Sequence, residues 1–223
     1  MKKQVAVIVS GCGWQDGTDP QELALVLLRL DQLNIAWTCF APDVAQHHVL
    51  DHASGEPIAG EERRTLVESR RMLHEEVHSL DTLDPEAFTA IVIPGGHGAI
   101  SELSDFATSG ASMQVLEHLV ALLREFHQAR KPIALAGMAA LLVLRIFEQA
   151  IPVTLGQSAE LSGKVSAMGG LHKSAGVSEI VVDAEHRVIT SPGWLMEGRP
   201  SEVAAGLFKL VDRMDALMVQ PRW

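Results

Sequence analysis

The sequence predicts an α/β fold, a mostly parallel sheet with helices on both faces. Three observations carry this. Short apolar runs rich in Val and Ile alternate with stretches of helical periodicity, the pattern of βαβ units. Glycine-rich turns follow two of those runs: Gly11, Gly13 and Gly17 after the first, Gly95, Gly96 and Gly98 after the one at 90–93. The chain has 223 residues, 47% of them hydrophobic, enough to bury a full core, so residues 1–223 read as a single domain.

The strands are expected at 5–9, 35–40, 90–93, 132–136, 180–182 and 188–190, with a short one around Val77. The helices are expected at 21–33, 61–73, 112–128, 138–147 and 201–217. In the first helix Leu23, Leu25, Val26, Leu28, Leu30 and Leu33 make a broad apolar face suited to lying on a sheet. Ligands bind such sheets beyond the carboxyl ends of the strands. Both glycine clusters fall there, so function is sought where they converge.

The bulk numbers exclude several partners. Net charge is -10, from 28 acidic and 18 basic side chains, and the longest basic clusters are pairs such as Arg63-Arg64. That balance opposes nonspecific nucleic-acid binding, which needs clustered Lys and Arg. No window holds the 18 or more apolar residues of a membrane span. Met1-Lys2-Lys3-Gln4 runs straight into Val5-Ala6-Val7-Ile8-Val9, too short for a signal peptide's apolar core, so the start reads as a strand. Two cysteines, Cys12 and Cys39, make no disulfide framework, and a cytoplasmic home is expected.

Four motifs carry candidate chemistry. Asp19 suits a helix N-cap, Pro20 the first helical position, and Glu22 the third, so Glu22 reads either as a capping-box carboxylate or as a pocket acid or base. Pro94-Gly95-Gly96-His97-Gly98 lets backbone approach a ligand, but it lacks the Lys-Ser/Thr ending of a phosphate loop and the spacing of a dinucleotide fingerprint. The stretch from Lys131 to Ala140 reads as strand, sharp turn, helix. At such an elbow the turn residue is usually the nucleophile, and here it is Gly137; the N–H of Met138 remains available to an anion or carbonyl oxygen. His74-Glu75-Glu76-Val77-His78 matches H-E-x-x-H, which binds zinc only when both imidazoles share one helix face. The helical pattern ends near Leu73, so a strand is expected there and no metal site. His47, His48 and His52 form a second group, read as surface histidines. Cys39 reads as an inert core thiol, and Cys12, in the glycine loop, as the thiol placed to react.

Taken in order, Ser10-Gly11-Cys12-Gly13 with Asp16-Gly17 and Glu22, Cys39-Phe40-Ala41-Pro42-Asp43, His52 with Gly55-Glu56, and Ile93-Pro94-Gly95-Gly96 with Gly98-Ala99 resemble ElbB proteins. So do Gly156, Met168-Gly169 with His172, Ile180-Val181-Val182-Asp183 and the final strand through Pro192. The resemblance implies a flavodoxin-like sandwich of the amidotransferase-like, PfpI type, and a homodimer. ElbB proteins are described as isoprenoid-biosynthesis or lycopene-enhancing proteins, some as glyoxalases acting on 2-oxoaldehydes without an added cofactor. It further implies a carboxylate, matching Glu22, that hydrogen-bonds an elbow cysteine, with N–H groups near Gly96 and Met138 holding a substrate oxygen. The family's elbow reads approximately G-F-M-C-I-A-P, whereas this chain has Ala134-Leu135-Ala136-Gly137-Met138-Ala139-Ala140, with no thiol. The expected function is therefore a noncatalytic family member keeping a pocket for a small carbonyl or anion. The alternative is a glyoxalase-type lyase using Cys12 as a displaced thiol, assisted by Glu22 and by His97 or His172. A zinc hydrolase through His74 and His78 is the third reading.

Overall fold

The alternation of side chains along each strand decides what the sheet can cover. The computed structural model describes residues 2–218. Its strands are β1 (Gln4–Ile8), β2 (Ala36–Ala41), β3 (Val77–Ser79), β4 (Ala90–Ile93), β5 (Ile133–Ala136), β6 (Pro152–Val153), β7 (Leu171–His172), β8 (Val181–Asp183) and β9 (Val188–Ser191). Seven of them form one sheet in the order β3-β2-β1-β4-β5-β9-β8, parallel except for β8 against β9, while β6 and β7 make a separate two-stranded ribbon. The helices are α1 (Pro20–Gln32), α2 (Thr65–Ser69), α3 (Gly98–Ser101), α4 (Phe106–Ser109), α5 (Glu117–Gln128), α6 (Ala159–Ala167) and α7 (Pro200–Met218).

The period of two sends Val5, Val7 and Val9 to one face of the sheet with Ala90, Val92, Ala134 and Ala136, where Leu23, Val26 and Leu30 of α1 and Leu207, Leu210 and Met214 of α7 cover them. The intervening Ala6, Ile8, Ile91, Ile93, Ile133 and Leu135 meet Leu119, Leu123 and Phe126 of α5 on the other face. Both faces being covered, the central strands are apolar throughout. This is the flavodoxin-like sandwich that the sequence predicts. Arg29 of α1 grips Asp212 of α7 with two hydrogen bonds of 2.7 and 3.0 Å, tying the two helices of one layer together.

Several elements differ from the expectation. The helix expected at 61–73 shrinks to α2 and one 3-10 turn, Arg70–Met72, because Arg64 bridges to Ala45 and Gln46 N–H donates to Arg63 O, which holds residues 63–64 extended. The helix expected from 112 begins at Glu117, after a 3-10 turn at Gly110–Ser112. The segment after β5 is a 3-10 helix, Gly137–Arg145, rather than an α-helix. α3, α4, α6 and the β6–β7 ribbon lie outside the expected elements.

Candidate functional site

The strand order reverses between β1 and β4, which opens a crevice at their carboxyl ends. The two glycine loops meet there, backbone against backbone. Asp19 N–H donates to Gly95 O at 2.9 Å, His97 N–H to Trp14 O at 2.8 Å, and Gly98 N–H to Gly17 O at 2.9 Å. Gly96 has φ +106, a region that L side chains avoid.

Glu22 reaches this junction from the first turn of α1. The N-cap forms as expected: the Asp19 carboxylate accepts from Gln21 N–H at 2.8 Å and Glu22 N–H at 3.3 Å. The Glu22 side chain does not return to Asp19 as a capping box would. Its Oε2 accepts from Gly95 N–H and its Oε1 from Trp194 N–H, each at 2.8 Å. Its carboxyl is 1% exposed, and burial pushes its pKa up to about 7, against the pull of the Trp194 and Gly95 N–H groups and with help from the neighbouring Asp19 carboxylate. Such a group exchanges its proton near neutrality.

Gly137 stands at the turn from β5 into its helix with φ +53. A Cβ there would lie 3.8 Å from Glu22 Oε1 and 3.4 Å from Gly95 Cα, so the position faces the carboxyl and has room for a small side chain. A Cβ on Gly95 would come within 2.6 Å of Glu22 Oε2, and one on Gly193 would collide with Oε1. Around the carboxylate, position 137 is therefore the one of these three that tolerates substituents. A cavity of about 50 Å³ remains, lined by Glu22, Gly137, Gly96, His97, Trp14 and Trp194. Among the described residues the Gly96 N–H meets no acceptor. The Met138 N–H lies in the first helical turn, where backbone donors lack intrahelical partners. Both could serve a ligand oxygen, with Glu22 to donate or take a proton.

The structure brings together Glu22, Gly137, Gly96, Met138 and His97. Burial, with the charge of Lys164, lowers the His97 pKa, which favours its neutral imidazole. Cys12 does not line this cavity, and burial raises its pKa, with smaller opposing effects from the charges of Arg71 and Glu68. His172 sits on β7, where its Nε2 accepts from Leu155 N–H at 3.3 Å. His74 lies in a bend and His78 in β3, so the two do not share a helix face. His47, His48 and His52 are exposed, as expected for surface histidines, but His52 is also held in place, its Nε2 2.7 Å from the buried Asp16 carboxylate. Trp14, Trp194 and Gly193 escaped the sequence reading. The position of Gly193-Trp194 just past the end of β9, a sheet strand's carboxyl end, is the signal that could have found them.

The two thiols should differ in reactivity. Cys39 is fully buried and its pKa is pushed up to about 12 by burial and by Glu75, whereas Cys12 is half-buried. Iodoacetamide should label Cys12 in the native protein and leave Cys39 until the chain unfolds. Mass spectrometry showing Cys39 modified first would contradict this packing.

No family model matches the chain. The ES1 protein homolog of Rattus norvegicus, a mitochondrial protein, is 35% identical over 222 residues, spanning 96% of this chain and 83% of its own length. The mitochondrial glutamine amidotransferase-like class 1 domain-containing protein 3 of Homo sapiens is 34% identical over 220 residues, 95% of this chain and 82% of its own length. The chain belongs to the ES1 family of amidotransferase-like proteins. An isoprenoid biosynthesis protein with an amidotransferase-like domain from Ehrlichia chaffeensis superposes with a TM-score of 0.87 at 31% identity, covering 96% of this chain and 99% of that one. A ThiJ/PfpI domain protein from Brachyspira murdochii shares the fold alone, at 16% identity, TM-score 0.59, and coverage of 97% and 99%. The ElbB resemblance thus holds at the level of the ES1 family and the PfpI-type fold. ES1-family relatives also correct the expected cytoplasmic home, since the rat and human proteins are mitochondrial. Two unpaired cysteines fit any reducing compartment and never singled out the cytoplasm.

Proposed function

We propose that this ES1-family chain binds a small carbonyl or anionic ligand in the Glu22–Gly137 pocket and performs no thiol chemistry there, glycine having replaced the nucleophile. The observation that carries this reading is the Gly137 turn: a residue at φ +53, with its absent side chain aimed at a buried carboxyl 3.8 Å away. An amidotransferase-like or glyoxalase-like reaction forms a covalent bond to a sulfur at that point, and Gly137 has no atom to offer. The retained parts, a proton-exchanging carboxyl and two N–H donors, hold a ligand oxygen without attacking it. Cys12, which does not line the cavity, is out of position to substitute.

Methylglyoxal conversion should stay at background and be indifferent to Glu22→Gln. Robust turnover that disappears in Cys12→Ser would overturn the reading. The turn itself is testable through stability. A side chain at φ +53 is strained, so Gly137→Ala should lower stability by roughly 1–2 kcal/mol in urea denaturation, at unchanged m-value. Gly137→Cys should fold with a similar loss and gain a third, readily alkylated thiol whose rate shifts when Glu22→Gln is added. A folded Gly137→Cys protein whose new thiol ignores Glu22 would show that the carboxyl does not face the turn.

A further inference from the structure

The inner cavity is the floor of a larger space. A chamber of about 530 Å³ opens outside it, and the two share Trp14, Asp19 and Trp194 as walls. That volume falls in the range of small-molecule sites, while about 50 Å³ inside admits a carbonyl group and little more. A ligand filling both must place its bulk in the chamber.

The chamber's walls say what that bulk is. Trp14 is 52% exposed, unusual for an indole, and its ring stands 6.2 Å from both His52 and His97 in edge-on geometry. His52 is fixed in the wall by its 2.7 Å contact to Asp16, whose side chain is almost wholly buried. Trp194 contributes a buried indole Nε1–H that has no hydrogen-bond partner among the described residues. No Lys or Arg lines either space, which disfavours a multiply charged, phosphate-bearing ligand.

We propose that the chamber between Trp14, His52 and Trp194 holds the flat aromatic or conjugated body of a carbonyl ligand whose oxygen-bearing end enters the Glu22–Gly137 cavity. The ring lies against the exposed Trp14 face, with Trp194 bordering both the chamber and the inner cavity. This rests on the reading of the inner pocket given above and adds the substrate class, an aryl or conjugated ketone or dicarbonyl in place of a small aliphatic one.

Calorimetry with two probes in borate-free buffer separates the two levels. 1-Phenyl-1,2-propanedione should bind about tenfold or more tighter than 2,3-butanedione, because stacking adds to the shared dicarbonyl contacts. In Trp14→Ala that preference should fall to near parity. The Trp194 indole N–H resonance, assigned by its loss in Trp194→Phe, should shift when the aryl probe binds, since Trp194 borders both spaces. Equal affinity for both probes, or a preference that survives Trp14→Ala with the Trp194 resonance unmoved, overturns the chamber and leaves the inner pocket standing. Binding of neither probe overturns both.

Discussion

Gly96→Ala should cost roughly 2–6 kcal/mol of stability, and Gly98→Ala, which carries the clash without the strain, roughly 1–3 kcal/mol. Gly96 has φ +106, where a side chain is strained by about 1–3 kcal/mol. Its Cβ would also lie 2.5 Å from Asp19 N and still closer to Gly17 O. Both are backbone atoms, which cannot swing aside as a flexible side chain would. Overpacking of this kind adds about 1–3 kcal/mol. Gly98 has an ordinary φ, but its Cβ would collide with the backbone of Gly17, and a Cβ on Gly17 would in turn collide with Cys12 N. The loops after β1 and β4 thus interlock through glycines on both sides. Pushing them apart would break the bonds from Asp19 N–H to Gly95 O and from Gly98 N–H to Gly17 O, and with them the floor of the pocket. Gly163 is the contrast. It sits within α6, with nothing within 4 Å of its Cβ position and no positive φ, so Gly163→Ala should stabilise by about 0.5–1 kcal/mol. Denaturant midpoints for the three variants decide the matter. A Gly96→Ala protein as stable as the wild type would mean that the loops do not pack as described.

What could be read from the sequence follows from the range of each interaction. β1, β4 and β5 were legible because both faces of the sheet are covered, which leaves unbroken apolar runs. The N-cap at Asp19 was legible because its partners are two and three residues away. For Glu22 local spacing left a cap and a pocket carboxyl both open, because the partners that decide between them, Gly95 and Trp194, lie 73 and 172 residues further on. The 3-10 helix after Gly137 was read as α because all its residues from Gly137 to Leu144 are buried, so no polar face marks the period. α6 was missed for the opposite reason: only Val165 is buried in it, which leaves no apolar stripe to read. Trp14 and Trp194 come from loops after β1 and β9 and meet only once the sheet is assembled. The elbow glycine was legible from its flanking pattern, but its aim at Glu22 is a property of the fold.

Stability should fall by about 3 kcal/mol between pH 4.5 and pH 7 on account of Glu22 alone. A carboxyl that titrates near 4.5 in the unfolded chain and near 7 when folded takes up a proton on folding throughout that window. Each pH unit inside it then lowers stability by about 1.4 kcal/mol. Below 4.5 both states hold the proton and above 7 both release it, so the contribution is full at acid pH and gone at alkaline pH. The direction is opposite to that of a surface carboxylate in an ion pair, whose stabilisation is lost on acidification. Glu102 follows the same direction, burial pushing its pKa up to about 7, and burial raises Asp19 as well, so the wild-type profile alone would not isolate Glu22. The difference between wild type and Glu22→Gln does. The amide has no charge to lose, and its NH₂ must face either the Gly95 or the Trp194 N–H, a donor against a donor, so the variant should be less stable than the wild type at pH 4.5. That deficit should shrink by about 3 kcal/mol as the pH rises to 7.5, since only the wild type then buries a charge. Urea denaturation of both proteins at half-unit intervals reads the two curves. Parallel curves would mean that Glu22 ionises as it would in water and is not enclosed by Gly95, Gly193 and Trp194 as described.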